Sequence, residues 1–145
     1  MQVNILLCLG AALSAMAAVL HIGIVIKGAP WYRFFGAGEA FAVAAERGRA
    51  WPHVVTLGIA AVLLAWSAYA LSGAGALRPL PLLLPALLII TAVYLLRGAV
   101  VLPMLLFARS KATPFVVWSS VICLAFGIVH AVGLSQVWPH LQVPQ

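Results

Sequence analysis

Four long apolar runs, about 3–26, 53–71, 80–107 and 115–138, take up most of this chain, and its charges fall almost entirely between them. A helix needs about 20 apolar residues to cross the hydrocarbon core of a bilayer. Inside that core every backbone N–H and C=O must find a partner within the protein, which a helix provides by itself. The four runs leave little of the 145 residues for a separate soluble domain. The expected fold is therefore all-α: one integral-membrane domain over 1–145, a four-transmembrane-helix bundle with a short interfacial helix between helices one and two. Only 7% of the residues are charged, too few to cover a soluble surface.

The formal charge of +6 comes from eight Lys and Arg against two acids. Those eight are scattered over several loops with no basic stripe interleaved with aromatics, so nucleic acid is not an expected partner. Basic residues beside apolar spans instead fit anionic membrane lipids and insertion topology. Lys27, Arg33, Arg47, Arg49, Arg109 and Lys111 share one side, and Arg78 alone faces the other. Loop cations favour the cytoplasmic side, so both termini are expected outside the cytoplasm, in a bacterial inner membrane. The first run lacks a basic n-region and continues past Ala15, Ala17 and Ala18, so it is read as a retained helix and not a cleaved leader.

Between the first two spans, Trp31, Tyr32, Phe34 and Phe35 suit the headgroup zone, where aromatic rings with polar edges prefer to sit. The Ala-rich 37–49 stretch is expected to form one short interfacial helix, with Glu39, Val43 and Glu46 on one face and Phe41, Ala44 and Ala45 on the other. Pro81 and Pro85 are expected in the first turns of the third span, Pro103 should bend its far end, and Pro139 should end the fourth. Lipid tails compete with apolar side chains, so helices associate where small residues let backbones approach. Gly10, Ser14 and Ala18 form such a stripe in the first span, and Ser119, Cys123, Gly127 and Ala131 one in the fourth. Helical periodicity places His21 with the first stripe and His130 with the second, both pointing inward. The stripes serve packing within one chain or between chains, which leaves a homo-oligomer or a membrane-complex partner open.

Four residues stand out as ligand-binding candidates: His21, Glu39, Tyr94 and Arg97. Arg97 is the one charge well inside a span, and an intramembrane charge calls for a partner. The sequence offers Glu39 or Glu46, with Tyr94 one turn away completing a network; the alternative is a guanidinium that snorkels to the headgroups. No cofactor is expected. Haem between His21 and His130 fails on depth, since the two rings are offset by roughly 15 Å along the bilayer normal. A metal set of His21, His53, Glu39 and Glu46 lacks any ligand spacing of the H-x-x-x-H type, so no metal is expected either. Cys8 and Cys123 lie inside spans without a C-x-x-C.

The general plan is similar to that of small bacterial four-helix membrane proteins such as the DoxX-like and EXPERA groups. No motif of theirs falls on residues here, and no functional residue is carried over. The leading functional expectation is a small non-enzymatic inner-membrane protein that binds a lipid or hydrophobic small molecule, or serves as a membrane subunit of a larger assembly. The alternatives are an enzyme acting on a lipid-like substrate, with Glu39 or His21 exchanging protons beside Arg97, and an oligomeric transporter or channel.

Overall fold

The structure, a computed structural model, describes residues 3–109 and 112–141. The described residues form helices α1 (Ile5–Lys27), α2 (Ala29–Phe34), α3 (Glu39–Glu46), α4 (Trp51–Gly73), α5 (Leu83–Ala99), α6 (Val101–Phe107) and α7 (Pro114–Leu141). Among them, α1, α4, α5 with α6, and α7 are long and apolar enough to cross a membrane, at 23, 23, 25 and 28 residues. At 1.5 Å per residue each reaches about 34 Å or more, against roughly 30 Å of hydrocarbon. The chain is a multi-pass membrane protein, as its apolar runs predict.

Proline explains where the third span departs from expectation. α5 begins at Leu83, so Pro81 lies outside the helix and not in its first turns. Leu82, its N-cap, takes a left-handed conformation with φ 54°. Pro85 falls in the first turn, where an N–H has no intrahelical acceptor and its loss costs little. Pro103 would have bonded the carbonyl of Ala99, and α5 stops at that residue, with α6 resuming at Val101. The irregularity is confined to Val100, whose backbone stays in the right-handed helical region (φ −54°, ψ −29°). Pro139, by contrast, does not end the fourth span: α7 runs through it to Leu141. Its fixed φ is already helical, and so near the terminus it forfeits one backbone hydrogen bond.

The interfacial helix expected over 37–49 is α3, and a second short helix, α2, precedes it on the aromatic cluster. Gly36 (φ 61°) and Gly38 (φ 100°) separate them, in backbone conformations that side-chain-bearing residues rarely adopt.

By its contacts the chain divides into two compact units, Met1–Ser14 with Trp66–Gln145, and Ala15–Ala65. In the first, Leu7, Ala74, Leu87, Leu134 and Val137 form the core. Asn4 caps α1 by accepting from the Leu7 N–H (2.9 Å), while its amide donates to Gln136 Oε1 (2.8 Å). Helices α5 and α7 meet at two glycines. A Cβ on Gly98 would lie 2.6 Å from the Leu124 backbone nitrogen, and one on Gly127 2.9 Å from that of Leu95. The buried line of α7 passes through Ser120, Phe126, Gly127, His130, Leu134 and Val137. Of the expected stripe only Gly127 is buried, while Ser119, Cys123 and Ala131 lie half-buried beside it. Small residues mark where a neighbouring backbone comes close; the rest of the interior holds bulk such as Phe126 and His130. In the second unit, Ile24, Ala29, Tyr32 and Ala42 form the core, flanked by Trp31, Phe35 and Phe41.

Candidate functional site

In the first unit, α5 carries Tyr94 into the interior with its hydroxyl 2.9 Å from that of Ser14. A buried phenol must find a partner, and the small-residue stripe of α1 provides one in Ser14, itself fully buried. Around the Tyr94 ring stand Trp66 (5.0 Å between centroids, edge-on), Phe126 (5.5 Å) and His130 (5.2 Å). His130 is inward, as expected, and fully buried. Its Nδ1 lies 2.9 Å from the Phe126 carbonyl, an acceptor only, so Nδ1 carries a proton and donates it. Nε2 has no hydrogen-bond partner among the described residues. A Cβ on Gly10 would stand 2.7–3.0 Å from this ring, so the glycine of the first stripe is where the histidine fits.

Arg97 lies one turn beyond Tyr94 but is exposed. Its Nη1 donates to Ser120 Oγ and its Nη2 to Ser119 Oγ, each at 3.1 Å. Ser119 in turn donates to the Val116 carbonyl (3.2 Å), which fixes its lone pairs toward the guanidinium. Two neutral hydroxyls therefore aim the group without cancelling its charge. Tyr94 and Arg97 belong to separate hydrogen-bonded groups.

Both side-chain carboxylates of the protein are engaged in the second unit. Arg33 holds Glu39 through Nε (3.1 and 3.2 Å) and Nη2 (2.7 Å), and Glu46 through Nη1 (2.6 Å). These hydrogen bonds, more than the Coulomb attraction, hold both carboxyls below their ordinary range, and push Arg33 further up. The partner offered to Arg97 by the sequence thus serves Arg33. Separations of 6 and 13 residues are not helical spacings, and only the Gly36–Gly38 turn brings the three side chains together; the sequence carries no signal for that.

His21 is half-buried, and its Nδ1 donates to the Ala17 carbonyl at 2.7 Å. His53 faces the buried Tyr32, with Nδ1 3.4 Å from the phenol oxygen. Tyr32 donates to Thr56 (3.2 Å), whose own proton goes to the Pro52 carbonyl (2.8 Å). Among the described residues no three His, Cys, Asp or Glu side chains gather closely enough to hold a metal ion. The four residues singled out by sequence thus have separate partners: Ser14 for Tyr94, Ser119 and Ser120 for Arg97, Arg33 for Glu39 and Ala17 for His21.

The second unit also carries an open groove of about 430 Å³ between α3 and the start of α4, lined by Glu39, Val43, Ala44, Arg47, Arg49 and Trp51 among others. Sequence reasoning used Arg47 and Arg49 only as markers of topology. No family model, curated protein or solved structure matches the chain.

Proposed function

We propose that the protein is a non-enzymatic, lipid-binding protein of the inner membrane, with both termini outside the cytoplasm and Arg97 as a contact for an anionic lipid group. The observation that carries this reading is a guanidinium in the last turn of α5 that is aimed by Ser119 and Ser120 and has no carboxylate partner among the described residues. A cation within a span costs about 2.5–3.5 kcal/mol at mid-membrane, less toward the interface. Neutral hydroxyls leave most of that unrelieved. A charge-assisted hydrogen bond to a lipid phosphate contributes roughly 1.5–3 kcal/mol, enough to offset it. Arg97 has donors left over, since two serines occupy two of its five N–H groups.

Chemistry needs more than a cation. Proton transfer requires an acid or base within hydrogen-bond reach of the reacting atom. Glu39 and Glu46 are clamped by Arg33, and the Tyr94 hydroxyl is tied to Ser14. This supports binding over turnover.

Native mass spectrometry of the detergent-purified protein tests the reading. A stoichiometric lipid is expected on the parent chain. It should be lost in Arg97→Leu and weakened in a Ser119→Ala/Ser120→Ala pair, which keeps the charge and removes its aim. A clean mass for the parent chain, alone or with a second polypeptide, sinks it in favour of an assembly role.

A further inference from the structure

We infer that the groove between α3 and the start of α4 is a headgroup site for an anionic phospholipid, with Arg47 and Arg49 on the phosphate and Trp51 against the glycerol and the first acyl carbons. This site belongs wholly to the second unit and does not depend on Arg97.

The charge argument comes first. Arg33 occupies both acids, and Arg47 and Arg49 make no ion pair among the described residues. They have no use in capping α3 either. The backbone N–H groups of Arg47, Gly48 and Arg49 already satisfy the carbonyls of Val43, Ala45 and Ala44 at 2.9–3.0 Å. Two guanidiniums with free donors therefore flank one concavity. The one acid in its lining, Glu39, has both oxygens on Arg33. The groove is thus cationic, and forked N–H donors suit phosphate oxygens.

The shape of the lining selects the kind of anion. Val43, Ala44 and Trp51 form an apolar wall beside the two arginines. Trp51 is held in place by Phe41, edge-on at 4.6 Å, yet remains 41% exposed. A fixed, exposed indole at the first residue of a membrane-length helix sits where headgroups meet acyl chains. A free inorganic anion would leave that wall in water, whereas a lipid covers it. A volume of about 430 Å³ suits a headgroup and lies within the range of small-molecule sites. A headgroup bearing its own ammonium would set a third cation against the two arginines. That favours an anionic lipid over a zwitterionic one.

The test is lipid retention by the full chain in nanodiscs of equal phosphatidylglycerol and phosphatidylcholine, read by native mass spectrometry. The parent chain should retain phosphatidylglycerol over phosphatidylcholine. An Arg47→Gln/Arg49→Gln pair should weaken that retention about thirtyfold, at ~1 kcal/mol per cation near a membrane surface. Arg47→Lys/Arg49→Lys should retain most of it, and covers the case in which the Gln pair fails to fold. Arg109→Gln removes one cation outside the groove and should behave as the parent chain. Arg97→Leu should leave this lipid bound, which separates the two sites. Equal retention of both lipids overturns the inference. So does an equal loss in Arg109→Gln, which would make the attraction diffuse, or displacement by millimolar inorganic phosphate, which would make the ligand a free anion.

Discussion

Gly98 and Gly58 both sit inside membrane-length helices, and a methyl group has opposite consequences at the two. At Gly98 the new carbon would lie 2.6 Å from a backbone nitrogen of α7 that has nowhere to go. At Gly58 nothing lies within 4 Å. Gly98→Ala is therefore expected to destabilise by about 1–3 kcal/mol through overpacking. Gly58→Ala should be neutral or add up to about 1 kcal/mol, since Ala is the better helix former. Denaturant unfolding in mixed micelles, followed by circular dichroism, reads both; equal behaviour of the two variants would contradict the α5–α7 contact. Gly127 was legible in the sequence as part of a small-residue stripe, while its counterpart Gly98 stands alone in its span and gave no such signal. Arg97 was legible as an anomaly. Its serine partners were not, because both lie 22 residues or more along the chain and hydroxyl residues are common in spans.

At the scale of elements, α2 and α3 are joined through Arg33, and pH bears on that join. Glu39 and Glu46 are held below their ordinary value of 4.5 in the folded protein. A depressed carboxyl stabilises the fold above its unfolded value, and the contribution is lost as pH falls through the lower folded value. The α2–α3 pairing should therefore be indifferent to pH from neutral down to about 4.5 and weaken below that. The groups are solvent-exposed, so the effect on stability is small and screened by salt. Carboxyl resonances of protein labelled with ¹³C-Glu give two side-chain signals to follow. Both midpoints should lie below the ordinary value, and both should rise toward it in Arg33→Met. Ordinary midpoints in the parent chain would mean that the pairs do not persist in the membrane. The existence of helix between the first two spans was legible from its Ala-rich composition. The additional helix α2 was not, nor was the turn that sets it against α3, because that turn depends on the backbone conformations of Gly36 and Gly38, and composition does not report those.

For the whole molecule the proposed orientation makes a prediction about access. Single cysteines introduced as Ala76→Cys and Ala112→Cys, with Cys8 and Cys123 replaced by Ala, probe the loops before α5 and α7. A membrane-impermeant maleimide added to right-side-out vesicles should label the first and not the second; the reverse pattern inverts the topology. The number of spans, their approximate bounds and their helical character were determined by the sequence alone. Hydrocarbon imposes a length, an apolar composition and internal backbone hydrogen bonding, and all three can be read locally. Proline read locally pointed to the irregularity ahead of Pro103 but not to its form, and was wrong about Pro139, because the cost of a lost backbone bond depends on how much helix follows it. Which side chains meet was decided only by tertiary structure. Arg33, not Arg97, takes both carboxylates, and His130 rests on Gly10. These pairings depend on helix rotation and turn geometry, which the spacing of residues along a single helix does not contain.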